Sequence, residues 1–239
     1  MVVSSDLADG VATITLDGPE RRNALDGASA RACAEAIERA GADPAVGAIV
    51  LTGARPAFCA GAVRDVLARA GDPGDAEARR ELDAIYDLFL VLGAAPVPTI
   101  AAVDGAAVGA GLNLALAADA TVVAEDARLI SGFARIGIHP GGGHLHLLRR
   151  RAGGGAAAAI GLLDQEIDGR RAVELGLAWA HAPAGEVLAR ARELAAAPAA
   201  DPALARLATR TLRRGAADGW AAQVEAERGA QLTTLLTRR

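Results

Sequence analysis

Val11–Asp17 alternates apolar and polar residues with a period of two and runs into Gly18-Pro19, the pattern of a strand closed by a turn. Residues 48–51, 97–103 and 120–124 are instead continuous short apolar runs bounded by Gly, Pro or Asp, which predicts strands buried on both faces. Between the first two strands, Ala32, Ala36, Ile37 and Ala40 recur at helical spacing, so residues 28–40 are expected to form a helix that Asp43-Pro44 ends. A strand, a helix and a returning strand normally run parallel with a right-handed crossover. Further helices are expected over 63–70, 82–92, 112–118, from about Leu145, 156–163 and 169–175, with a last short strand at 178–181. From Gly185 onward the pattern is helical throughout, at about 185–197, 202–214 and 218–236, with breaks at Pro198, Pro202 and Gly215. Residues 63–84 interrupt this regularity with Gly71-Asp-Pro-Gly-Asp and a charged run, as either a substrate lid or a solvated surface loop.

Composition sharpens the picture. Hydrophobic residues make up 52% of the 239 and aromatics only 3%, so the core must be filled by small aliphatic side chains within one main α/β unit. A net charge of −4, with charges scattered along the chain, gives nucleic acid no basic face to bind. Every one of the 25 basic residues is arginine, which rules out a Walker phosphate loop and a Schiff-base lysine. No apolar run reaches the ~18 residues of a membrane span. No Cys/His cluster has metal-ligand spacing, so no metal site is expected. Two cysteines, Cys33 and Cys59, and no targeting stretch before Asp6 fit the reducing cytoplasm.

Two stretches carry candidate chemistry. After the strand at 97–103, Gly105, Gly109 and Gly111 keep side-chain bulk away from the start of a helix, where the amide of Ala110 could face an oxygen gaining charge. After the strand at 48–51, Pro56-Ala-Phe-Cys-Ala-Gly-Ala forms a small-residue turn that could present the amide of Ala60. Two such amides aimed at one point make an oxyanion hole. The plainer reading is a pair of packing turns in an alanine-rich chain. The oxyanion reading requires both N–H groups to be free of acceptors within the protein.

Taken together, Arg21-Arg-Asn-Ala-Leu, Ala57-Phe-Cys-Ala-Gly-Ala, the stretch 105–119, Ile136-Gly-Ile-His-Pro-Gly-Gly-Gly and the run 163–177 resemble the crotonase, or enoyl-CoA hydratase/isomerase, superfamily over roughly residues 8–215. The resemblance implies a ββα spiral core over 1–184 and a helical C-terminal region over 185–239 that assembles trimers or dimers of trimers. It implies an acyl-CoA thioester as partner, with CoA entering as part of the substrate and no tightly bound cofactor. By position it assigns the oxyanion amides to Ala60 and Ala110, puts Arg22 and Ala24 along the CoA moiety, and puts Ala62 beside the thioester. A dinucleotide reading of Gly109-Ala-Gly fails because Leu114 occupies the third glycine position.

The chain departs from that pattern where proton transfer is done. Hydratases of the family use two glutamates, and the matching positions hold Asn113 and Phe133. An amide cannot take a proton at neutral pH and a phenyl ring can neither donate nor accept one. His139, His144 and His146 cluster in the loop after Phe133, and His139 or His144 is the favoured substitute base; alternatively His144, at the start of a helix, simply caps it or faces solvent. Asp65 is a weaker candidate, and Cys59 reads as core. Three functions follow: an enzyme that stabilises a thioester enolate, a non-catalytic acyl-CoA-binding protein, or an assembling subunit.

Overall fold

A computed structural model describes residues 1–72 and 74–215. Among the described residues nine strands build two sheets. β1 (Val2–Ala8), β2 (Val11–Asp17), β3 (Ala48–Gly53), β5 (Thr99–Val103), β7 (Ala120–Ala124) and β9 (Ala180–Ala182) lie side by side in that order, while β4 (Ala57–Cys59), β6 (Ala106–Val108) and β8 (Arg128–Ile130) form a smaller sheet. All pairs are parallel except β1 with β2. From β3 to β8, each turn of the chain therefore lays one strand in the large sheet, the next in the small one, and then a helical segment. This is the expected ββα spiral.

The strands at 48–51, 97–103 and 120–124 fall where the apolar runs put them, and all six residues of β3 are buried. Val11–Asp17 is a strand, but its polar face is not solvated. Thr13 is buried because α7 (Val187–Ala200) crosses the large sheet and Arg192 donates to Thr13 Oγ1 from Nε (3.2 Å) and Nη2 (3.1 Å). β1 was not anticipated. Its signal is Asp9-Gly10, both with positive φ (50° and 75°), the two-residue hairpin turn that joins Ala8 to Val11.

α1 (Gly27–Ala42) opens on a reciprocal cap, with Asp26 Oδ1 accepting from Ser29 N (2.8 Å) and Ser29 Oγ accepting from Asp26 N (3.0 Å). α2 (Arg64–Ala70) is the expected short helix, but α3 runs over Ala76–Ala94 rather than 82–92. Its charged first turns are helix because Asp75 caps Ala78 N at 2.8 Å. Arg69 pairs with Asp75 (2.9 Å), Asp65 (3.4 Å) and Glu81 (3.4 Å), so the excursion is two packed helices joined by a short turn. α4 (Ala110–Ala117) begins two residues earlier than expected. The helical pieces from Leu145 and over 156–163 are both present and run end to end as α5 (His144–Gly161), separated by a kink at Gly153 where φ is 76° and ψ 176°. α6 (Gly169–Glu174), α7 and α8 (Pro202–Gly215) follow; the helix expected over 218–236 lies outside the described residues. Among the described residues no helix is long and apolar enough to cross a membrane.

Candidate functional site

The small sheet brings the two candidate turns together. Asn23 is the hub of the first. Fully buried and in the left-handed region (φ 57°), it donates through Nδ2 to Ala54 O (2.8 Å) and Ala57 O (2.7 Å) and accepts from Gly18 N at 2.9 Å. That pins the Arg21–Leu25 turn against the residues around β4. Leu25 N then bonds Gly61 O, and Val63 N bonds Leu25 O, both at 2.8 Å. In this parallel bridge Ala62 sits between the two bonded groups, so its own N–H and C=O point away from Leu25.

The expected role of Ala60 fails on its hydrogen bond: the Ala60 N–H donates to Arg22 O at 2.9 Å. Among the described residues the Ala62 N–H has no acceptor, and Ala62 lines the main cavity. Ala110, first residue of α4, has an N–H that helix geometry leaves unpaired, and it too has no acceptor. Gly61 joins the two turns, since a Cβ there would stand 2.7 Å from Val108 O and 3.5 Å from Ala110 N. Behind it, a Cβ on Gly111 would stand 2.1 Å from Cys59 O. Only glycine permits either approach.

The cavity encloses about 420 Å³. Leu67 and Leu82 from α2 and α3, with Ile85, Tyr86 and Phe89, form one apolar wall; Arg22, Arg64 and Arg135 stand among its lining. The interruption at 63–84 thus supplies a wall of the cavity. Asp65 is not part of the lining and pairs with Arg69. Cys59 is core, its thiol pushed up to about 12 by burial. Ala24 lies outside the lining, while Arg22 and Ala62 belong to it.

The same lining also holds polar side chains. Asn113 lies on the buried face of α4 and His144 is the first residue of α5. Asn113 Nδ2 donates to Gly141 O at 2.9 Å, which turns its Oδ1 to His144 Nδ1 at 2.7 Å. A carboxamide oxygen only accepts, so Nδ1 carries the ring proton and Nε2 a lone pair. Burial pushes the His144 pKa down from 6.5 to about 4, which keeps the ring neutral at neutral pH. Ser131 Oγ, 2.8 Å from Nε2, must therefore donate to it. Phe133 packs on the ring with centroids 4.9 Å apart. His144 is thus neither solvent-facing nor a capping group. It lies just behind the lining, between Ser131 and Asn113, both of which face the cavity.

The other histidines differ. His139 lines the cavity mouth but is exposed and donates from Nδ1 to its neighbour's carbonyl, Pro140 O, at 2.7 Å. His146 is exposed and outside the lining. The loop itself is held by Asp164, which accepts from Gly132 N at 3.0 Å and pairs with Arg135. Ser131 escaped the reading of the sequence. Its only signal is its place directly after β8, beside Gly109, whose N–H donates to Ile130 O at 2.9 Å.

Comparison with known proteins agrees with this geometry. The family model described as enoyl-CoA hydratase/isomerase matches residues 6–238. The chain is 43% identical over 208 residues to a probable enoyl-CoA hydratase of Mycobacterium tuberculosis, covering 87% of this chain and 79% of the relative. It is 33% identical over 180 residues to the 1,2-epoxyphenylacetyl-CoA isomerase of Escherichia coli, covering 74% of this chain and 68% of that one. Among solved structures, an enoyl-CoA hydratase from Polaromonas sp. JS666 superposes with a TM-score of 0.90 at 28% identity, covering 98% of this chain and 91% of the other. On the family match, the relatives and the spiral of strands, the chain belongs to the enoyl-CoA hydratase/isomerase family.

Proposed function

We propose that this protein binds an acyl-CoA thioester with its carbonyl oxygen between the N–H groups of Ala62 and Ala110, and that these amides stabilise the negative charge that oxygen gains. The observation that carries this reading is the pair of unsatisfied amides on two adjoining turns, opening on an apolar cavity. Hydrogen-bond donors fixed before reaction cost no reorganisation when charge develops, and removing one such donor typically costs about 10²–10³-fold in rate. The acyl chain lies against Leu82, Ile85 and Phe89, and Arg22 flanks the CoA moiety at the exposed rim. CoA is thus part of the substrate. A CoA thioester and two buried free thiols suit the cytoplasm.

Simple hydration is not the reaction this site favours. The Asn113 amide is committed at both ends, to Gly141 and to His144, and Phe133 offers no proton. General acid–base catalysis supplies about 10²–10⁴-fold per group, so crotonyl-CoA should be hydrated far more slowly than by an enzyme with both glutamates. The base behind this lining is His144, whose Nε2 lone pair accepts from the Ser131 hydroxyl. A purely binding role is the second reading, favoured by an intact cavity whose two usual carboxylate positions hold Asn113 and Phe133.

Chromatography of the 3-hydroxybutyryl-CoA formed from crotonyl-CoA and calorimetry with an acyl-CoA decide between these. Micromolar binding with little hydrated product is the expected result. Hydration at the rate of a two-glutamate hydratase would overturn the view of Asn113 and Phe133, and absence of binding would overturn the acyl-CoA reading. Leu162, Leu163 and Trp179 are exposed, and we assign such apolar surface to a trimer or dimer of trimers. A monomer in sedimentation would remove that part.

A further inference from the structure

We propose that Ser131, His144 and Asn113 are an acyl-transfer triad, and that the site hydrolyses acyl-CoA thioesters through an acyl ester on Ser131. The inference rests on the acyl-CoA reading above and adds a covalent step to it.

The arrangement has the three features such a device needs: a hydroxyl donating to an imidazole nitrogen that carries a lone pair, a third group that fixes the ring's tautomer, and donors for the oxyanion in the lining of the same cavity. Ser131 Oγ lies 2.8 Å from Nε2 and Asn113 Oδ1 lies 2.7 Å from Nδ1. The Asn113 amide is itself held by Gly141 O at 2.9 Å, so neither the ring nor the amide can flip without breaking a bond. Ser131 sits beside Gly109, the residue before Ala110, because Gly109 N bonds Ile130 O. A histidine buried only for packing needs partners of any kind on its two nitrogens. Here the chain of bonds begins and ends at residues that line the same cavity.

The steps balance. Ser131 Oγ passes its proton to His144 Nε2 and forms a bond to the thioester carbonyl carbon, whose oxygen lies on the Ala62 and Ala110 amides. The carbon–sulfur bond then breaks, and the sulfur leaves with the proton from Nε2 as free CoA. Water gives a proton to Nε2 and adds to the ester carbon. The carbon–Oγ bond breaks, and Ser131 recovers its proton from Nε2. The net change is thioester plus water giving carboxylic acid plus CoA, with no oxidant or further reactant.

Saturated butyryl- and octanoyl-CoA test this cleanly, since neither has a double bond to hydrate. Free CoA is measured by chromatography, intact mass reports an acyl adduct, and calorimetry reports binding. The native protein should release CoA and carry an acyl group on the Ser131 peptide. Ser131→Ala should bind these esters within about threefold of native but release CoA at least ~100-fold more slowly. Ser131→Cys, which keeps the shape of the side chain, should still take up the acyl mass. Binding with neither CoA release nor adduct overturns the triad and leaves the acyl-CoA reading standing. Failure to bind either ester, or crotonyl-CoA, overturns that reading itself. Undiminished CoA release from Ser131→Ala overturns the nucleophile.

Discussion

The cavity has two working walls built on different principles. One is backbone: the Ala62 and Ala110 amides, presented by turns that follow β4 and β6 of the small sheet and held together where Gly61 and Gly111 approach backbone oxygens. The other is side chain: Ser131, His144 and Asn113, drawn from a loop and two helices and tied by hydrogen bonds of 2.7–2.9 Å. The backbone wall depends on what the sequence leaves out, namely side-chain bulk. The side-chain wall depends on what each residue contributes, and a single substitution breaks the chain of bonds. On the proposed reading, binding and polarisation fall to the first wall and proton movement to the second.

The sharpest way to break the backbone wall is Gly111→Ala. Alanine is normally the better helix former, by about 1 kcal/mol over glycine in a helix interior. Here, in the first turn of α4, the new Cβ would meet the backbone oxygen of Cys59 at 2.1 Å, so stability should instead fall by more than about 3 kcal/mol in denaturant titration. An unchanged or raised midpoint would show that the two turns are not held by that contact.

The side-chain wall should announce itself through pH. The folded-state pKa of His144 is depressed by burial to about 4 from an ordinary 6.5. Between those values the unfolded chain takes up a proton that the folded chain refuses, so stability falls as pH drops through this window. The change is on the order of 3 kcal/mol and is complete once the pH is below the folded value. His144→Gln should flatten the profile in that window while leaving the more acidic limb. A native profile as flat as the variant's would mean that the imidazole is not held neutral.

Asn113→Ala comes next. It leaves Gly141 O and His144 Nδ1–H without their partner and should cost about 2 kcal/mol in thermal unfolding. A loss confined to a few tenths would show that water replaces the amide. The smallest effect belongs to His139→Ala, whose ring bonds only the adjacent carbonyl and is exposed; stability should stay within about 0.5 kcal/mol. A larger loss would bring His139 back as part of the wall.

Much of the large sheet was legible because continuous apolar runs such as 48–51 and 120–124 leave a buried parallel strand as the economical reading. The small sheet was not, since Ala57–Cys59, Ala106–Val108 and Arg128–Ile130 are three residues each, too short for any period to register. Ala110 was found because a glycine-rich turn precedes its helix. The choice of Ala60 over Ala62 went wrong for want of one fact, that Arg22 O lies where it captures the Ala60 amide. The charged start of α3 was missed because its cap, Asp75, was read as part of a loop.

By itself, the order of apolar runs, glycine turns and helical stretches determined the parallel strands and the position of the second amide, and the resemblance of its motifs brought the family and the spiral, since each depends on residues close together along the chain. Only the folded chain decided which amide of the first turn is free, and that His144 faces inward to a serine 13 residues before it and an asparagine 31 residues before it. Hydrogen-bond partners are chosen by distance and direction in space, and separation along the sequence carries neither.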